Sequence, residues 1–232
     1  MSNRCDAKVS PPSECTPRLG SLTAGSGLDL SVWGHIVGTV LVEAHPATPE
    51  RWNDLVTVFG RRGKDPSWCW CQRRLGTSEV EPGGPVNNRS ALQQEIGDAG
   101  VPPGVIAYVD NGPVGWSRVG PRDYLPGVRS NRALVRVLPE LDASVWWVTC
   151  FVVDSRHRRA GIGGALLQAD VELARDHGAS AVEGHPVDVS ALKATKVSGS
   201  AIFTGTVALF TAAGFVEVGR TGPTRPVMRR KL

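Results

Sequence analysis

The sequence predicts a mixed α/β domain in which helices pack on a central sheet. Three observations carry this. The near-apolar run Val145 to Val153 is rich in β-branched and aromatic residues and reads as a buried central strand. Gly161 to His177 follows, and Ile162, Leu166, Ala169 and Leu173 share one face at helical spacing. Around this pair the patterns run helix, helix, hairpin, strand, helix, strand, helix, strand, an order that indicates a mixed sheet.

Met1 to Ser26 is rich in Ser, Pro, Gly and Thr without a period, and reads as a flexible tail. Leu28 to Val42 is more apolar and reads either as an added strand or as a segment packed on the domain. We expect residues 1–40 to be a flexible N-terminal extension and residues 41–232 to be the domain. Thr48-Pro49 sets a helix start, Trp52, Leu55, Val56 and Phe59 follow at helical spacing, and Gly60 ends the helix. A basic, glycine-containing loop leads to Trp68-Cys69-Trp70-Cys71, and Asn88 to Ile96 reads as a second helix. Val105 to Val109 and Val114 to Val119 form a hairpin about Asp110-Asn111-Gly112. Gly178 caps the long helix. Ala181 to Val187 is a strand, Thr206 to Ala213 a short helix ended by Gly214, and Phe215 to Val218 and Val227 to Arg230 the last strands.

Composition bounds the function. The chain has 232 residues, 41% of them hydrophobic and 21% charged, enough apolar material for a sizeable core. The nine-residue run at 145–153 is too short to span a bilayer, and the polar N-terminus resembles no signal peptide, so we expect a cytoplasmic protein with no membrane partner. Net charge is +4 with no dense basic block, which argues against a nucleic-acid partner. The basic residues are 21 Arg against 5 Lys, a bias that suits phosphate recognition. Of the five cysteines, Cys150 reads as a buried thiol, and Cys69 and Cys71 as a loop or core thiol pair. No second ligand pair stands at metal spacing, so no metal is expected.

The chemistry concentrates in Val153-Asp-Ser-Arg-His-Arg-Arg-Ala-Gly-Ile-Gly-Gly-Ala-Leu-Leu167. A buried strand ends, basic side chains follow, and glycines open an amphipathic helix. Free N–H groups and the helix dipole at such a start favour a phosphate, and Arg156, Arg158 and Arg159 lie just ahead of them. The reading is a pyrophosphate site. A dinucleotide fingerprint is excluded because Leu166 stands where the third glycine belongs, and a P-loop because Gly-Lys-Ser/Thr is absent.

Arg158-x-x-Gly161-x-Gly163 resembles the R/Q-x-x-G-x-G/A signature of the GNAT superfamily of N-acetyltransferases. The preceding strand and the following helix and strand agree with it, Phe210-x-x-x-Gly214-Phe215 resembles the family's Y-x-x-x-G-F, and Gly112-Pro-Val-Gly-Trp116 is a typical hairpin. Trp68-Cys-Trp-Cys71, His185-Pro-Val-Asp188 and Phe203-Thr-Gly-Thr206 look like a bacterial branch of it. The resemblance covers about residues 41–232. It implies a GNAT-type mixed, mainly antiparallel central sheet flanked by helices, with acetyl-CoA as cosubstrate and no metal. It implies transfer of an acetyl group to a primary amine, a protein lysine or a small molecule, by direct attack in a ternary complex, in a monomer or homodimer. It also implies that the N–H groups of Arg158, Arg159, Gly161, Ile162, Gly163 and Gly164 hold the pyrophosphate. The backbone of Phe151, Val152 and Val153 would pair with the pantetheine arm, and an N–H near Phe151 would polarise the thioester carbonyl.

The usual acid of the family is the Tyr of Y-x-x-x-G-F, and Phe210 has no proton to give. Strand alternation would put Glu183 and His185 on one face beside the thioester, so these are the candidate bases, each also readable as a structural residue. Asp188 and Asp123 are weaker candidates. Trp68 and Trp70 read either as an aromatic wall for the acceptor or as core packing. Adjacent Trp146 and Trp147 must point to opposite faces. A catalytically weak or inactive acyl-CoA-binding sensor is the alternative, suggested by Phe210.

Overall fold

The computed structural model describes residues 32–38, 40–72, 87–138, 142–192, 198 and 201–232. The expected tail to Ser26, with Cys5 and Cys15, lies outside the described residues, as do Leu28 and Leu30. Eight strands form one sheet in the order β1-β2-β3-β4-β5-β6-β8-β7. They are β1 (Trp33–Val37), β2 (Val40–Pro46), β3 (Gly104–Val109), β4 (Gly112–Pro121), β5 (Val145–Val153), β6 (Ala181–Gly184), β7 (Val216–Gly222) and β8 (Arg225–Lys231). The helices are α1 (Trp52–Phe59), α2 (Asn88–Asp98), α3 (Pro126–Arg129), α4 (Arg132–Val137), α5 (Ile162–Asp176) and α6 (Val207–Ala212). All neighbouring strands are antiparallel except β5 and β6.

The sheet begins earlier than the expected boundary at residue 41. β1 pairs along its whole length with β2, and Val37 packs over Gly161 at the start of α5, so residues 33–37 belong to the fold. Of the apolar side chains that hinted at a strand there, Trp33 and Val37 pack against the core on the α5 side, while Val32, Ile36 and Val40 stay exposed at the sheet edge. α3 and α4, unread in the sequence, close on Trp147 and Val227 through Leu125, Val128 and Leu134.

α5 packs on one face of the sheet against Val42, Ala44, Val105, Ala107, Val114 and Val148. α1 and α2 cover Ile106, Trp116 and Cys150 on the other. A bulge sets the parity of β5. Arg118 of β4 faces Cys150 while Val119 faces Val148, which leaves Thr149 as the extra residue. Trp146 therefore joins the α5 side, and Trp147 and Cys150 both point to the opposite face, as expected for the Trp pair.

Asp170 lies fully buried on α5 under β4. The Ser117 hydroxyl donates to its Oδ1 (2.7 Å), and Oδ2 is buried without a partner. Burial pushes this carboxyl well above its ordinary value, against the smaller opposing pull of the Ser117 hydrogen bond. The folded chain thus keeps a proton that the unfolded chain loses above about pH 4. Stability contributed here is complete below that pH and lost as pH rises toward the folded-state value, at about 1.4 kcal/mol per pH unit. Asp170→Asn should flatten that slope and raise stability at neutral pH. Denaturant titrations of both proteins from pH 4 to 8 check this, and parallel pH profiles would refute it.

Candidate active site

Two local features build the anion cradle. The loop after β5 curls through Arg159 and Gly161, both left-handed, at φ 63° and 77°. A left-handed glycine costs nothing sterically, and here it is also required because a Cβ on Gly161 would overlap Val37. The N–H groups of Gly164 and Ala165 both donate to the Gly161 carbonyl (2.9 and 3.2 Å). Those of Ile162 and Gly163 are left without an acceptor among the described residues. A Cβ on Gly163 would make only ordinary contact with Leu209, and one on Gly164 would meet nothing within 4 Å. That open space above unsatisfied N–H groups at the positive end of a four-turn helix fits a phosphate group.

The basic loop divides its work. Arg156 is an exposed partner of Asp154 (2.7 Å), and this pairing and the Arg156 N–H hold the Asp154 carboxyl down to about 2. Arg158 and Arg159 are exposed beside the cradle. Phe151, Val152 and Val153 are half-buried on the last turn of the pleat before it.

β5 and β6 pair only from Val145↔Ala181 to Val148↔Gly184. Beyond Gly184 β6 stops, and β5 runs on alone to Val153 on that side. β6 therefore ends before the expected Val187, because His185-Pro186 leaves the ladder and only Val187 returns, as an isolated bridge to Thr206. The opening is partly claimed. The Phe151 N–H, expected to face a thioester carbonyl, donates to the Phe203 carbonyl (2.7 Å). By alternation Val153 turns its N–H to the same edge. Phe210 fills the base of the opening. It is fully buried, edge-on to Phe151 and Phe215, and a Cβ on Gly184 would overlap its ring.

The candidate bases lie on one face, that of Trp147, which pairs with Glu183 and stands 6.5 Å from the His185 ring, but each is engaged with other groups. Glu183 is 0% exposed and doubly bridged: Arg122 Nη1 donates to Oε2 (2.9 Å) and Arg229 Nε to Oε1 (2.7 Å). A carboxylate locked between two guanidinium groups and itself fully buried has the geometry of a structural ion pair, which argues against Glu183 as the base. His185 lies past the strand end, with Nε2 against the Thr221 hydroxyl (2.7 Å) and Nδ1 against Arg225 Nη2 (3.3 Å). Together with Thr149, Thr204, Asn131 and Arg225 it lines a cavity of about 30 Å³ between α3–α4 and the sheet, room for little more than a water. Asp188 is tied to Arg220 (3.0 Å).

Trp70 is not an acceptor wall. It is 0% exposed, stacked on Trp52 and Phe59, and its indole N–H donates to the Asp65 carbonyl (2.9 Å). Trp68 is 39% exposed, with the Arg62 guanidinium over its ring, so of the two it alone offers a surface. Cys150 is buried, as expected, but is bridged to Cys71 rather than a thiol. The Phe203 carbonyl, the Thr149 bulge and the Thr221–Arg225 partners of His185 were missed in the sequence. The motif Phe203-Thr-Gly-Thr206 was a signal for the first; nothing local signals the others.

A glycine-rich helix start with unsatisfied N–H groups, beside a strand that parts from its parallel neighbour, is the framework expected of an acyl-CoA-dependent transferase. The acetyltransferase (GNAT) family profile matches residues 71–196, over half of the chain, and the chain belongs to that family. Its general chemistry is acetyl-CoA-dependent acetylation. No curated protein sequence matches the chain. Among solved structures it is similar to the GNAT domain of S. lividans PAT, at 13% identity and TM-score 0.52, over 87% of this chain and 97% of that one. It is also similar to mosquito arylalkylamine N-acetyltransferase like 5b, at 13% identity and TM-score 0.51, over 82% and 100% of the two chains. These likenesses agree with the mainly antiparallel sheet flanked by helices. Among the described residues no helix is long and apolar enough to cross a membrane, and no group of His, Cys, Asp and Glu stands together to hold a metal.

Proposed function

We propose that the chain moves an acetyl group from acetyl-CoA to a primary amine, a protein lysine or a small molecule, by direct attack in a ternary complex. The observation that carries this is the open, unsatisfied start of α5 beside the lone stretch of β5. When bound there, acetyl-CoA supplies an activated thioester. Ile162 and Gly163 N–H groups hold its phosphates, with Arg158 and Arg159 as neighbouring cations, and the edge of Phe151 and Val153 guides the arm. Trp68, on the face opposite α5, borders the acceptor. His185 is the base of this reading: it lines a cavity that can hold a water, and it accepts the ammonium proton once Nδ1 gives up its contact with Arg225. Phe210 donates nothing, so the thiolate leaves unprotonated, as a thiol of pKa about 8.5 permits.

A second reading, an acyl-CoA-binding sensor with weak or no turnover, is favoured by the loss of three expected catalytic groups. Glu183 is locked in its ion pairs, the Phe151 N–H is taken, and Phe210 replaces Tyr.

Calorimetric binding of acetyl-CoA, followed by thiol release with a panel of amines and lysine peptides, separates the readings. Amine-dependent release supports the enzyme, and binding without release across the panel supports the sensor. In the enzyme, His185→Ala should lower kcat by about 10²-fold with acetyl-CoA affinity unchanged. An unaltered kcat would remove His185 as the base.

A further inference from the structure

A disulfide and a third cysteine two residues from it in sequence form a group that acetyl transfer does not use. Cys71 and Cys150 are bridged across 79 residues of sequence, and both are buried. Cys69 is free and half-exposed. It shares a tight turn with Cys71, closed by the Gln72 N–H on the Cys69 carbonyl (2.7 Å). The two central residues, Trp70 and Cys71, are left-handed at φ 41° and 54°, a conformation that costs non-glycine residues about 1 kcal/mol or more each. The Trp70 stack and the bridge hold that turn in place.

The bridge joins two functional parts. Cys150 immediately precedes Phe151 and follows the Thr149 bulge. Cys71 immediately precedes Gln72, whose amide donates to Glu95 Oε2 (3.2 Å), and Glu95 in turn pairs with buried Arg118, the cross-strand neighbour of Cys150. The covalent link and this polar chain together pin the α1–α2 connection to the acceptor face of β5.

We propose that Cys69, Cys71 and Cys150 form a redox-exchange site for a low-molecular-weight thiol, and that opening it loosens the acceptor face. Entry is through Cys69, because the bridge itself is shielded. The Cys69 thiolate attacks Cys71 Sγ, a Cys69–Cys71 bond forms, and the Cys71–Cys150 bond breaks. Cys150 leaves as a thiolate and takes up the proton that Cys69 gave off, so this step is redox-neutral. The external thiolate then attacks Cys69 Sγ of the accessible pair and frees Cys71. A second external thiol resolves the mixed disulfide. In sum two thiols become one low-molecular-weight disulfide, and the protein gains two electrons and two protons. The same disulfide reverses the sequence. Once open, the turn relaxes and the Gln72–Glu95–Arg118 chain loses its anchor. The α5 cradle, on the opposite face, keeps its geometry.

The test uses the full chain with glutathione as the probe. Alkylation of native protein followed by peptide mapping should label Cys69 and leave Cys71 and Cys150 joined. Addition of reduced glutathione should then expose Cys71 and Cys150. Cys69→Ser should keep the bridge but slow its opening about tenfold or more, and Cys71→Ser should abolish the redox response. Opening should raise the KM for the amine about fivefold or more, with acetyl-CoA affinity unchanged. Labelling of Cys71 and Cys150 before reduction, or equally fast opening in Cys69→Ser, would overturn the exchange site. A KM indifferent to the bridge would overturn the coupling. Only the KM arm rests on the acetyl-transfer reading. If that reading fails, the alkylation map still decides the exchange, and calorimetry reports separately on acetyl-CoA.

Discussion

Gly163→Glu should abolish measurable acetyl-CoA binding, a loss of at least about 10³-fold, while the protein stays folded. The two halves of this expectation have separate causes. A Cβ at Gly163 meets only Leu209, at ordinary van der Waals distance, so the fold has room for the side chain. A glutamate in the first turn even suits the helix dipole. The same carboxylate stands in the space over the Ile162 and Gly163 N–H groups and repels any phosphate there. Gly161→Ala is the contrasting variant. It must overlap Val37 and abandon a φ of 77°, so it should lose stability before it loses a ligand. Calorimetry and thermal melts on both variants make the comparison. Normal acetyl-CoA binding by Gly163→Glu would place the cofactor elsewhere and remove the basis of the proposed function.

Glu183→Gln should cost about 3 kcal/mol or more, lowering Tm by roughly 6–12 °C for a chain of this size. The neutral amide takes away the carboxylate charge paired with Arg122, a guanidinium 2% exposed in the interior. Arg229 is better placed to recover, because a third of its side chain reaches solvent. The kcat of the folded fraction should change by less than about threefold, since Glu183 has no route to a bound amine. A structural and a catalytic role are thereby separated. An unaltered Tm with a kcat lowered by about 10²-fold would restore Glu183 as a base and contradict the ion-pair reading.

The bridged Glu183 also explains how β6 and β8 are held to the N-terminal half of the sheet. Arg122 comes from the turn after β4 and Arg229 from β8, so one carboxylate ties three segments together. Removal of one partner of such a set is costly because a buried charge is left behind, although an apolar replacement of all three could be neutral.

The parts of the molecule that were legible in the sequence are those whose physics is local. The Val145–Val153 strand and the helix from Gly161 announce themselves by residue type and period. The cradle follows from them, because a glycine-rich helix start exposes its own N–H groups whatever packs nearby. The 110–112 turn marks its hairpin in the same way. Roles set by distant partners were not legible. Glu183 reads as a candidate base until Arg122 and Arg229 arrive from 61 and 46 residues away. Trp70 reads as core or, less readily, as an acceptor wall until Trp52 and Phe59 stack on it. Cys150 reads as a thiol until the chain folds Cys71 against it. The Phe151 N–H is a free donor in any strand pattern and is claimed only when the 201–206 segment crosses the opening. The sequence by itself determined the sheet-and-helix frame and the open, glycine-rich start of α5, because backbone geometry and helix termini are properties of contiguous residues. The tertiary structure alone decided which polar groups face a substrate and which neutralise one another, because burial and pairing depend on residues far apart in the chain.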